Sequence, residues 1–226
     1  MTNSRAWWIA CLIAGIVTIG TSLYFGMIPD IEATDVPGGI NSIIAFEIVR
    51  TPADVAALFT DQAIANGFLI AMHHATWVDA LLFIPAYMLF LCAALMALRP
   101  LGSKVAVAGV IAALLAALFD QIEGVQLFRI MDDLPGTQAV IDLLIPMVRG
   151  KFALLGLTAL AIGWLLAKPG GWGRLAGLLV TLGGAVTMFG LSSDAQSGFL
   201  GLGGLISWLT LFVVAAVQFV RGRSRP

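Results

Sequence analysis

Six apolar runs, each close to the length needed to cross a hydrocarbon core, set the terms on which this chain can fold. A helix needs about 20 apolar residues to span a bilayer interior of roughly 30 Å. The runs are Trp7–Phe25, Ala75–Leu98, Lys104–Gln121, Phe152–Leu166, Gly173–Leu191 and Gly201–Val220. With 60% hydrophobic and 11% charged residues, the surface is suited to lipid rather than water. The expected fold is all-α: one integral membrane domain spanning residues 1–226, a polytopic transmembrane bundle of six helices. Six crossings and their loops leave no length for a soluble catalytic domain.

The charges orient the bundle. All thirteen acidic residues fall at or beyond one end of the runs, while eight of the twelve basic residues flank the other: Arg5, Arg99, Lys104, Lys168, Arg174, Arg221, Arg223 and Arg225. The positive-inside rule makes that basic side cytoplasmic, which puts both termini inside and assigns the protein to the inner (plasma) membrane. The first run follows Arg5 as a signal peptide would, but it extends over about 19 residues and no small-x-small cleavage site follows, so it is read as a bundle helix. Cys11 and Cys92 both fall in cytoplasmic halves of their helices, so no disulfide is expected. Net charge is −1 and the basic residues are scattered, which leaves no footprint for nucleic acid.

Three outer loops follow from this topology: 27–74, 122–151 and a short one around 192–200. The first contains two short amphipathic helices. In one, Ile40, Ile43, Ile44, Glu47 and Ile48 form a stripe, capped by Asn41 or Ser42. The other opens at Thr51-Pro52-Ala53-Asp54, with Thr51 as cap, Pro52 in the first turn and Asp54 at the positive end of the helix dipole; Val55, Leu58, Phe59 and at its edge Gln62 form its buried face. In the second loop, Asp132-Asp133-Leu134-Pro135-Gly136 makes a turn, Thr137 caps a short helix, and Pro146 kinks or interrupts the way into the fourth span. Asp194 with Ser192 and Ser193 forms a solvated last outer turn.

Five residues are candidates for a ligand-binding site in the outer half: Glu47, Asp79, Tyr87, Asp120 and Glu123. Asp79, Phe83 and Tyr87 recur every four residues, and a carboxylate in hydrocarbon is expensive enough that Asp79 should face the bundle. Gly109, Ala112, Ala113, Ala116 and Asp120 share a small-residue face that brings a neighbour close. Glu123 lies one turn beyond Asp120, and two carboxylates so placed repel unless a proton, a cation or a basic partner intervenes. His73 and His74 precede the second run, but adjacent histidines point apart and no paired spacing such as HExxH is present, so no metal site is assigned. There is no GxSxG elbow, no phosphate-binding loop and no cofactor signature.

The sequence thus points to a carboxylate-lined pocket that binds or transports a cation or a small amphiphile, with membrane lipid as the surrounding partner. Two other classes fit the same residues: an intramembrane acid/base enzyme using Asp120 or Glu123 on a lipophilic substrate, and a packing subunit of a larger complex. Glycine-rich faces at Gly173/Gly177, Gly183-Gly184 and Gly201/Gly203/Gly204 offer a contact for a second copy of the chain.

Overall fold

The structure, a computed structural model, describes residues 2–32, 40–192 and 197–223. Asp194, Ser193 and Arg225, which carry parts of the sequence reading, lie outside the described residues. Six helical stretches are long and apolar enough to cross a membrane. The first is α1 (Thr2–Phe25). The second is assembled from α5 (Phe68–Val78), a π-helical turn at Asp79–Phe83, α6 (Ile84–Leu98) and a short 3-10 turn. The others are α7 (Ser103–Asp132), α8 (Gln138–Ala167), α9 (Trp172–Gly190) and α10 (Gly198–Arg223). No strand is present among the described residues.

The long helices form a closed ring in which α1, α6, α7, α8, α9 and α10 each pack on the next and α10 returns to α1. Large apolar side chains cover its outside, among them Ile13, Leu89, Ile111, Leu118, Leu178 and Leu205. In water such a surface would be an aggregation liability; in lipid it is matched to its solvent. Inside, Tyr87, Phe90, Leu95, Ala113, Ile162 and Leu211 fill the core.

Glycine seams draw three of the helices together. A Cβ at Gly163 of α8 would meet Thr181 and the Gly177 carbonyl of α9, and one at Gly183 of α9 would meet Ser207 and the Gly203 carbonyl of α10. Ser207 Oγ donates across this seam to the Val180 carbonyl at 3.3 Å. Gly163, Gly177, Gly183 and Gly203 are therefore engaged in contacts within the chain, whereas Gly204 has no neighbour within 4 Å.

Residues 122–151 are helical on both sides of a short turn. Helix α7 continues to Asp132, α8 starts at Gln138 with Thr137 as its N-cap, and Pro146 lies inside α8 without interrupting it. At 1.5 Å per residue each of these 30-residue helices is about 45 Å long, so roughly a third stands clear of a hydrocarbon core of about 30 Å. Their projecting ends do not lack a core. Leu127, Ile130, Ile141 and Leu144 pack with Phe46, Phe59, Phe68 and Met72 in a second apolar cluster under the long first loop.

Among its described residues that loop holds three short helices rather than two: α2 (Ser42–Glu47), α3 (Pro52–Leu58) and α4 (Asp61–Ala65). It ends at Gly67, because α5 is helical from Phe68, seven residues before the apolar run was expected to begin. Thr51 and Asp54 close a reciprocal capping box over α3 with Pro52 in its first turn, and Val55, Leu58 and Phe59 are buried as their spacing implied, whereas Gln62 belongs to α4 and is exposed. In α2 the buried side is different from the expected stripe. Phe46 is the anchor, fully buried against Phe59, while Ile43, Ile44, Glu47 and Ile48 are half-buried.

Candidate functional site

Helix α7 presents Ala106, Gly109, Ala113, Ala116 and Asp120 to the interior, and Glu123 follows one turn later. Small side chains let α6 and α8 approach this face. On α8, Gly150 makes room for the Phe119 ring, which occupies the space a Cβ would need. The next residue, Lys151, is thereby brought against α7, and its side chain is only 5% exposed.

The ammonium of Lys151 is held by three carboxylates from two other elements. Its Nζ donates to Asp120 Oδ1 at 3.0 Å, to Glu123 Oε1 at 2.8 Å and to Glu47 Oε2 of α2 at 3.0 Å. An ammonium has three protons to donate, so this set uses its full capacity. The Tyr87 hydroxyl donates to the other oxygen of Asp120 at 2.8 Å. Tyr87 is completely buried and stacks on Trp208 of α10 with ring centres 5.5 Å apart.

Asp79 belongs to the π-helical turn. Such a turn carries one more residue than an α-turn and is frequent at functional positions. Here it is braced from α7, where Gln121 Nε2 donates to the Ala80 carbonyl at 2.7 Å. Asp79 is half-buried and near enough to feel the charges of Asp120, Lys151 and Glu47, but it is not one of the lysine's partners.

Four carboxylates and one ammonium leave three formal negative charges in a nearly dry setting. Glu123 Oε2 is buried without a hydrogen-bond partner. A buried carboxylate oxygen left unpaired costs free energy of order 1–3 kcal/mol or more, so this atom marks where a further positive species would be most favourable. Glu47, on the loop side, is held above the ordinary glutamate range by burial first, with Lys151 opposing the rise and Asp120 adding to it.

Next to Glu47 lies a cavity of about 20 Å³, bordered by Ile48, Arg50, Arg149, Leu191 and Ser197. A groove of about 600 Å³ at the opposite end of the bundle runs along Trp7, Arg99 and Ser103. Since Asp120 is 17 residues along α7 from Ser103, the cage and that groove are roughly 25 Å apart.

The five candidate residues are thus gathered in one place, four in direct contact with the cage and Asp79 beside it. The histidines lie elsewhere: His74 Nε2 is 2.9 Å from the Tyr24 hydroxyl, and His73 packs on Phe128. The residue missed from the sequence is Lys151, which its position before an apolar run leaves at the end of a loop. Its signal was present, since it is the one lysine on the acidic side of the chain and directly precedes an apolar run. Compared with known protein families, with curated proteins and with solved structures, the chain matches none.

Proposed function

We propose that this is a six-span inner-membrane protein, with both termini cytoplasmic, that binds a small positively charged species from the outer side at the Glu47–Asp120–Glu123–Lys151 cage. The observation that carries this reading is the charge imbalance: one buried ammonium, already fully shared, faces more carboxylate oxygens than it can serve, and Glu123 Oε2 is left over. A proton, a metal cation or a small ammonium would relieve that imbalance. Lys151 acts as the resident counter-ion, and the bound species adds to it or displaces it.

Cation binding is favoured over binding of an amphiphile by the space available, since the cavity beside the cage is about 20 Å³ and has no room for an alkyl chain. The same limit weighs against an acid/base enzyme acting on a lipophilic substrate. Binding is favoured over passage by Tyr87, whose ring stacks on Trp208 between the cage and the apolar inner half. Ionisable side chains inside a bundle mark a site of this kind by default, with the partner named by charge.

The test is thermal unfolding of the protein in lipid nanodiscs. The pH is varied at fixed salt, and choline chloride is then replaced by sodium, potassium or calcium chloride at fixed pH and ionic strength. At least one of these positive species should raise the wild-type Tm, and Asp120→Asn should blunt the effect. Indifference of the wild type to all of them would remove the reading.

A further inference from the structure

Resting on that reading, we propose that the species the cage exchanges is the proton, admitted at Glu47 through a port one water wide and shared with Glu123, whose Oε2 is the acceptor without a partner. Size comes first. The cavity between α2, α8 and the facing ends of α9 and α10 measures about 20 Å³, and a single water needs roughly 10–15 Å³ by the same measure. A metal cation with its hydration shell does not fit, whereas a proton moves through one bridging water without carrying a shell.

Charge points the same way. Arg50 and Arg149 border the cavity, and Arg149 is fixed there by a hydrogen bond of 3.0 Å from its guanidinium to the Leu191 carbonyl. A guanidinium held at the cavity mouth, as that of Arg149 is, raises the barrier for any cation that must reside beside it. A proton resides instead on Glu47, which lines the cavity and is only 13% exposed.

The groups facing Glu47 complete the picture. Lys151 comes from α8, Asp120 and Glu123 from α7, and Asp79 from the π-helical turn, while Arg50 and Arg149 line the same cavity as Glu47. Glu32 accepts from Ser42 at the other end of α2. Protonation turns the Glu47 carboxylate into a carboxylic acid and makes no other bond. Its hold on Lys151 weakens, and the ammonium is left to Asp120 and Glu123. The side that takes up the proton is therefore the side on which α2 is tied to the bundle.

Infrared difference spectroscopy on the full-length protein in nanodiscs separates this proposal from the cage reading it rests on. A downward pH step at constant salt should produce a carboxylic-acid carbonyl band, and both Glu47→Gln and Glu123→Gln should reduce its amplitude. Exchange of choline for sodium, potassium or calcium at fixed pH should produce none. If the salt exchange gives carboxylate changes as large as the pH step, the proton is the wrong species and the cation-binding cage stands. If neither step changes any carboxyl band, both fall. The port has its own readout. Ser197→Leu and, separately, Ile48→Phe fill the cavity and displace the bridging water, so either should slow band formation after a pH jump by about tenfold at unchanged final amplitude. Unaltered rates in both variants would overturn the port.

Discussion

Replacing Lys151 by methionine keeps the volume of the side chain and removes its charge, which makes it the most informative single change. Three charge-assisted hydrogen bonds are lost, to Glu47, Asp120 and Glu123. At about 1.5–3 kcal/mol each they set a ceiling of roughly 4.5–9 kcal/mol. The abandoned carboxylates recover part of this by taking up protons, and removal of one partner from a buried ion pair typically costs about 3–5 kcal/mol. For a chain of this size 1 kcal/mol corresponds to about 2–4 °C, so Tm should fall by roughly 6–20 °C at neutral pH. The fall should shrink as the medium is acidified, because protons then do what the ammonium did. Tryptophan fluorescence during heating in nanodiscs measures it, with Lys168→Met as control. Lys168 is exposed, bonded to the Leu101 carbonyl and seated over Trp164, so its loss should cost about 1 kcal/mol or less. A Lys151→Met variant no less stable than the Lys168→Met control would refute the cage as a stabilising element.

Glu47→Gln keeps an acceptor for Lys151 and abolishes titration. Because the folded-state pKa of Glu47 lies above its ordinary value of about 4.5, the stability its protonation contributes is complete below that value and is lost as pH rises through the folded pKa. Wild-type Tm should therefore decline relative to Glu47→Gln as pH climbs from about 4.5, whereas parallel pH profiles would contradict the shift. Gly150→Ala should cost about 1–3 kcal/mol by driving a methyl into the Phe119 ring, and Phe119→Leu should restore much of it in a double-mutant cycle. Backbone amides of α2 should exchange far more slowly than those of Asp30–Glu32, since Phe46 and Lys151 both pin that helix. Cysteines introduced at Ser103 and Ser224 should be protected from an impermeant thiol reagent in intact cells and one at Thr60 labelled, and the reverse pattern would invert the topology.

Hydropathy found the six spans because the need to face lipid is written into every third or fourth residue of each. It misjudged where the helices end for the same reason. Past Gln121, helix α7 leaves the hydrocarbon and carries Glu123, Gln126 and Arg129 among its apolar residues, so the run breaks although the helix does not. What keeps it helical is the second core, where Ile130 and Ile141 meet Phe46 and Phe59 across the chain, a contact between distant segments that no local pattern encodes. Pro146 was read as a break, yet α8 is held on both sides of it by burial of Leu144 and Val148.

The carboxylates were legible one by one. Asp120 follows a small-residue face, Glu123 is one turn away, and their repulsion called for a positive partner. That partner is Lys151, which hydropathy had assigned to a loop because it stands at the edge of an apolar run. Asp79 was placed on the interior side by its spacing to Tyr87, but the π-helical turn that sets its position has no recognisable sequence signature. Glu47 reached the site from a short loop helix whose buried face is centred on Phe46 rather than on the isoleucine stripe.

One ammonium, that of Lys151, is shared by three carboxyl groups from two other elements. The chain has three lysines, at 104, 151 and 168, so solid-state NMR on protein carrying nitrogen-15 at lysine Nζ and carbon-13 at Asp and Glu carboxyls can isolate it, with Lys151→Met assigning the signal. The account predicts a Lys151 nitrogen strongly dephased by carboxyl carbons, as contacts of 2.8–3.0 Å to Asp120, Glu123 and Glu47 require, with stepwise loss in Asp120→Asn, Glu123→Gln and Glu47→Gln preparations labelled only at acids. A Lys151 nitrogen that no carboxyl carbon dephases, behaving like the exposed Lys168, would contradict it.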